Sequence, residues 1–154
     1  MPARVVITAR ASGIGRAIAA ALIASGARVY TCDINEPALE EARAGLPGLL
    51  TGSCNVGDRA SVEAMVEQAA DALGGIDVLV NNAGIGGPTA PVHALDPDAW
   101  EQVLAVNLTG TFNVTRLAIP HLIRSGNGVI INMSSAGGRF GYPDRSPYAT
   151  SQWA

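Results

Sequence analysis

The chain predicts an α/β fold, a doubly wound parallel sheet, on three observations. Its strand-like runs, such as Val5-Val6-Ile7 and Val129-Ile130-Ile131, are short and apolar throughout. Segments of helical periodicity separate them, as at Val62, Met65, Val66, Ala69 and Leu73. The Gly/Ser/Pro-rich stretches, Gly84 to Pro91 and Ser134 to Pro147, both follow strands. Apolar strands alternating with helices lie in a parallel sheet covered on both faces and joined by right-handed crossovers. Ligands bind such sheets beyond the carboxyl ends of the strands, so the two stretches are candidate site loops and not domain boundaries.

The elements follow in order. Val5-Val6-Ile7 is the first strand, Ile14 to Ile23 an alanine-rich helix, and Arg28 to Cys32 the second strand. A short helix, Pro37 to Ala44, leads to a third strand around Leu49 to Cys54. The helix from Asp58 to Leu73 opens on Asp58 as its cap, and Ile76 to Val80 is the fourth strand. Pro97 begins a long helix reaching about Arg124, with a kink expected at Pro120. Val129 to Met133 is the fifth strand, and Pro147 opens a last helix at its first turn.

Length and composition narrow the function. The 154 residues, 48% hydrophobic, suffice for one domain spanning 1–154 with a real core. A net charge of −3 without a basic run argues against nucleic acid or an anionic membrane as partner. The apolar stretches all break well short of the roughly 20 residues of a membrane span. The strand beginning at Val5 leaves no room for a leader, so a cytoplasmic protein is expected. Cys32 and Cys54 read as two small buried hydrophobes, with a redox pair as the alternative, and neither has enough neighbouring ligands for a metal site.

Thr8, Arg10, Ser12, Gly13, Ile14 and Gly15 lie where the first strand passes into the first helix. There a dinucleotide pyrophosphate meets backbone N–H groups and the positive helix end, and the glycines let it come close. Asp33 ends the second strand about 20 residues on, the placement from which a carboxylate accepts hydrogen bonds from an adenosine ribose. A 2′-phosphate would meet like charge there, which favours NAD over NADP, although Arg10 would offset part of the repulsion. The alternative makes Asp33 only a cap for the helix after Pro37.

Five signals stand in sequence order. Thr8, Gly13 and Gly15 follow a T-G-x-x-x-G-x-G pattern with Ala9 at its first glycine, and Asn81-Asn82-Ala83-Gly84 follows the fourth strand. Asn107 lies in the long helix, Ser135 in Asn132-Met133-Ser134-Ser135, and Tyr148 after it. Alone, Asn82 reads as a turn cap and Asn107 as the partner of a helix kink. In combination the chain resembles the classical short-chain dehydrogenase/reductase family over essentially its whole length.

The resemblance implies a Rossmann fold, truncated here after the fifth strand and the start of the next helix. It implies an NAD(P)-dependent oxidoreductase that moves hydride between the nicotinamide and an alcohol or ketone. Asn55 and Val56, with Asn82, Ala83 and Gly84, join the glycine loop and Asp33 as cofactor-binding residues. Tyr148 is the implied acid/base, Ser135 holds the substrate oxygen, and Asn107 holds a water of a proton relay. Asn55 stands where the family usually has an aspartate, and its carbonyl oxygen can still accept from an adenine amino group.

Gln152 stands at the family's lysine position, i+4 from Tyr148. A lysine there places its charge on the tyrosine's helix face and favours the phenolate, which glutamine cannot do. Activity is therefore expected to be impaired, losing about 10²–10⁴ in rate with the acid/base assistance. An exposed apolar edge is expected at the fifth strand. A homo-oligomer is expected of a full-length relative and not of this chain. The competing readings are a non-catalytic nucleotide-binding module and a fragment without stable structure. Trp100 is assigned to the core, Phe140 and Tyr142 to an apolar substrate pocket, and His93 and His121 to packing or surface roles.

Overall fold

A computed structural model describes residues 1–8 and 13–154. Five parallel strands lie in the order β3-β2-β1-β4-β5, with β1 (Arg4–Thr8) at the centre. Around it are α1 (Gly13–Ala24), β2 (Arg28–Asp33), α2 (Glu36–Gly45), β3 (Leu50–Ser53), α3 (Arg59–Leu73) and β4 (Val78–Asn81). Then come α4 (Pro97–Leu104), α5 (Gly110–Ser125), β5 (Val129–Asn132) and α6 (Ser146–Trp153).

Alternation along β1 builds two cores. Val6 faces one way, into a cluster with Met65, Leu73, Leu79 and Val114, whereas Val5 and Ile7 face the other, into a cluster with Ala19, Leu39 and Val80. The sheet is therefore covered by α3 and α5 on one side and by α1 and α2 on the other. A strand buried on both faces has no room for a polar side chain, which is why the run in β1 is uninterrupted.

Local chemistry sets the helix starts. Asn35 caps α2 by accepting from the Ala38 backbone N–H (3.1 Å), and Asp58 caps α3 by accepting from that of Ser61 (2.7 Å). The cap of α2 is thus Asn35 and not Asp33. α3 ends at Gly74, whose φ of 77° is open to glycine at little cost.

The long helix departs from expectation. It is interrupted by a π-helical turn at Ala105–Thr109, then runs through Pro120 to Ser125. Pro120 lies on the exposed side, where water can satisfy the carbonyl freed by its missing N–H. The break therefore falls around the buried Asn107.

β4 begins two residues later than the apolar run because Asp77 is engaged at the foot of the sheet. Its carboxylate accepts from the Arg4 backbone N–H (2.9 Å) and from Nε and Nη2 of the same residue (2.9 and 2.6 Å). β5 is an edge strand, and its Val129, Ile130 and Ile131 are 48%, 39% and 45% exposed, matching the expected apolar edge. Trp100, assigned to the core, is only half-buried, because α4 lies outside both clusters and buries Val103 alone. Among the described residues no helix is long and apolar enough to cross a membrane.

Candidate functional site

The carboxyl ends of all five strands share one rim, which gathers Thr8, Asp33, Cys54, Asn81 and Asn132 from distant parts of the sequence. Thr8, at the end of β1, is buried, and its hydroxyl accepts from the backbone N–H groups of Asn82 (3.2 Å) and Ala83 (3.3 Å). The side chain holds the loop after β4 in place, and that loop forms the wall of two adjoining cavities.

The first cavity, of about 120 Å³, lies between the ends of β2 and β3 and the π turn. Asp33, Asn55, Val56, Ala83 and Gly84 line it. Asp33 is buried, with its Oδ1 accepting from the Asn35 backbone N–H (3.0 Å). Asn55 is exposed, and its Oδ1 already accepts from Gly57 N–H (3.0 Å), leaving a second lone pair for a ligand. Val56 is 7% exposed and is pinned by the close passage of Gly110, where a Cβ would stand 2.9 Å from Val56 Cγ2 and 3.1 Å from its carbonyl oxygen.

Cys32 and Cys54 are buried in the same wall. A hydrogen bond with the Cys32 thiol holds the Cys54 thiol below its ordinary value. Beside them, burial pushes the Tyr30 phenol up to about 12, aided by the two thiols.

The second cavity, of about 300 Å³, shares Ala83, Gly84 and Ile85 with the first. Ile14, Asn82, Ser135, Tyr148 and Gln152 line it, so the structure brings the serine, the tyrosine and the substituted lysine position to one cleft. Ser135 Oγ accepts from Gly137 N–H (3.2 Å), which closes the turn leading toward Tyr148. Gly137 has no Cβ to obstruct the rings: one there would lie 3.0 Å from Tyr142 and 3.3 Å from Tyr148. Gln152 is half-buried, and its backbone carbonyl accepts from Ser134 Oγ (3.0 Å). Tyr142 lines this cleft, among polar side chains as well as apolar ones. Phe140 does not, being 68% exposed on the tip of its loop.

Asn107 projects from the π turn toward the same loop and is buried. Its Nδ2 donates to Ile85 O (3.0 Å) and Ser151 Oγ (2.9 Å), and its Oδ1 accepts from Ile85 N–H (2.8 Å). Both amide hydrogens are therefore spent on protein, leaving one Oδ1 lone pair and the main chain to meet a water. The π turn is what aims this side chain inward, in keeping with the frequency of such bulges at functional sites.

Sequence reasoning missed four contributors. Ser151 ties α6 to Asn107, and its spacing of i+3 from Tyr148 is the signal that could have found it. Asn81 and Asn132 are directly opposed in the β4–β5 register and joined by a 2.9 Å side-chain hydrogen bond. Arg145 reaches back from the start of α6 to Thr89 (3.0 Å), a contact across the two loops that no local pattern announces.

Ala9, Arg10 and Ser12 lie outside the described residues. Gly13 has a φ of +62°, which favours glycine, and Gly15 is buried in the first turn of α1. A nicotinamide dinucleotide fits what is described: a slot with Asp33 at its rim, glycine backbone at the α1 N-terminus, and a wider cleft beyond Gly84.

The model of the short chain dehydrogenase family matches residues 3–154, and the chain belongs to that family. It is 36% identical over 147 residues to 2-dehydro-3-deoxy-L-rhamnonate dehydrogenase (NAD(+)) of a Sphingomonas species, covering 96% of this chain and 59% of that relative. Among solved structures it is similar to NAD+-bound xylitol dehydrogenase, with a TM-score of 0.92 and 34% identity over 97% of this chain and 59% of that one. It is also similar to a variant of actinorhodin polyketide ketoreductase with NADPH, at TM-score 0.89 and 34% identity over 99% and 62%. The chain thus spans about 60% of the length of these relatives, and both NAD+ and NADPH occur among them.

Proposed function

We propose that the chain forms the NAD site and the proton-handling half of an oxidoreductase acting on an alcohol or ketone. The observation that carries this reading is the pair of adjoining cavities, with Asp33 in one and Ser135 and Tyr148 in the other, joined across Ala83 to Ile85. When bound, the nicotinamide supplies the hydride acceptor or donor.

The remaining work falls to the chain's own residues. Asp33 accepts from the adenosine ribose and repels a 2′-phosphate, which supports NAD over NADP. Asn55 and Val56 flank the adenine, and the loop Asn82-Ala83-Gly84 borders the sugar nearer the reacting end. Gly13, Ile14 and Gly15 present the helix N-terminus to the pyrophosphate, with Arg10 and Ser12 assigned to the same loop by sequence alone. Ser135 donates to the substrate oxygen, and Tyr148 exchanges a proton with it. Asn107 positions the loop and α6, and its second Oδ1 lone pair can hold a water.

Gln152 favours a second reading, a protein that binds the nucleotide and turns over slowly or not at all. Its amide supplies no positive charge next to Tyr148. We also place the protein in the cytoplasm, in keeping with two buried cysteines and no disulfide between them.

The test is a fluorescence titration with NADH and NADPH, followed by turnover of NAD+ with a panel of alcohols. Saturable binding that prefers NADH supports the site, and turnover selects the first reading over the second. Absence of binding by folded protein overturns both.

A further inference from the structure

We propose that the cleft beside Tyr148 recognises a carboxylate on the substrate, through the guanidinium of Arg145. The inference rests on reading that cleft as the oxidoreductase site. It adds the substrate class, an oxo acid or hydroxy acid.

Arg145 is the one charged side chain among the described residues lining the cleft. Its guanidinium carbon stands 5.6 Å from the ring centre of Tyr142 and 5.7 Å from that of Tyr148, so the cation lies beside the phenol assigned to the chemistry. Its Nη2 lies close against Gly86, where a Cβ would meet it.

Beyond the two rings, no carboxylate pairs with this cation among the described residues. Among the described residues the ion pairs are Arg4 with Asp77 and Arg16 with Glu41, and no carboxylate lies within 4 Å of Arg145. The carboxylate of its sequence neighbour Asp144 is in neither pair. Of the five guanidinium N–H donors, one is met, by Thr89 Oγ1 (3.0 Å), and Nε is buried without a partner. A partly buried guanidinium with unfilled donors is costly alone and matches a carboxylate in both charge and geometry. The guanidinium and Tyr148 line the same small cleft, so the ligand that meets both is short. A carbonyl at the phenol and a carboxylate at Arg145 belong to a short 2-, 3- or 4-oxo acid.

Arg145 also straps the loop of Thr89 to the start of α6, so the test separates charge from strapping. Pyruvate, acetoacetate and levulinate, each beside its methyl ester, are titrated calorimetrically into the 154-residue protein with and without NADH. Variants are Arg145→Gln, Arg145→Lys and Thr89→Val. The expected result is at least one acid binding about tenfold or more tighter than its ester, as a charge-assisted hydrogen bond supplies. That preference falls to near unity in Arg145→Gln, is reduced but present in Arg145→Lys, and is retained in Thr89→Val, which keeps the cation and loses the strap. Equal binding of acid and ester, no binding of either, or an undiminished preference in Arg145→Gln overturns the proposal. If Arg145→Gln does not fold, loss of the preference in Thr89→Val overturns it instead, because the strap and not the charge then governs. NADH binding is measured on the same samples: its absence sinks the oxidoreductase reading, whereas an acid preference without NADH reports on Arg145 independently.

Discussion

Asn107 and Ile85 form a two-way clamp, the side-chain amide of one donating to and accepting from the backbone of the other at 3.0 and 2.8 Å. The clamp fixes the loop shared by both cavities to the π turn, and Ser151 extends it to α6. Asn107→Ala leaves the Ile85 N–H and C=O without that partner in a partly buried setting, at a cost of about 1–3 kcal/mol per unsatisfied group. Urea unfolding should show the loss. NADH affinity should fall with it, and Asn107→Asp, which keeps the acceptor and loses the donors, should fall between.

Asp33 decides the nucleotide if the proposed site is right. Asp33→Ser keeps an oxygen that can accept from Asn35 N–H and removes the charge facing a 2′-phosphate. The ratio of NADPH to NADH affinity should rise by about tenfold or more, in line with the loss of like-charge repulsion near a phosphate. An unchanged ratio in paired titrations would show that Asp33 does not face the ribose.

The Arg4–Asp77 pair should govern acid stability. The Arg4 guanidinium holds the Asp77 carboxyl below the usual carboxylate range. A carboxyl lowered in the folded state contributes stability above its unfolded value of about 3.9 that is lost as pH falls through the folded value. Tm of the native protein should exceed that of Asp77→Asn at neutral pH, and the two curves should converge as the pH drops below about 4. Parallel curves would show that the pair contributes nothing through its charge.

Tyr30 carries the opposite sign at the alkaline end. Burial raises its phenol to about 12, so the folded state holds the proton more tightly than an unfolded chain, in which the value is about 10. Its contribution is complete below about pH 10 and is lost as pH rises toward 12. Ultraviolet titration of the native protein minus Tyr30→Phe should show a phenol ionising near 12 or only on unfolding. A midpoint near 10 in folded protein would contradict the burial.

Much of this architecture could be read from the chain because it follows from short-range rules. The buried strands, the Asp58 cap and the parallel sheet are consequences of apolar runs, an N-cap side chain and strand–helix alternation. The misplaced features are those decided by contacts distant in sequence. Asp77 looked like part of a strand until Arg4 engaged it from 73 positions away. The bonds that the Thr8 hydroxyl accepts from Asn82 and Ala83, 74 and 75 positions away, were not legible either. Pro120 advertised a kink, whereas the break fell at Asn107, where the bond to Ile85 draws the side chain inward.

Gly110 illustrates a long-range constraint that can be tested directly. It is buried where α5 leaves the π turn, and a Cβ would approach the Val56 side chain to 2.9 Å and its carbonyl to 3.1 Å. An alanine has two ways out: push Val56 into the cavity it lines, or move α5 off the sheet. Backbone lies on both sides of the contact, so neither is cheap, and overpacking of this kind costs about 1–3 kcal/mol. Gly110→Ala should therefore lower the unfolding free energy and weaken NADH binding together. Val56→Ala in the same background removes the Cγ2 atom that collides first and should recover part of both losses. If the double variant is weaker than the sum of the two single changes, the contact between α5 and Val56 is not the source of the defect.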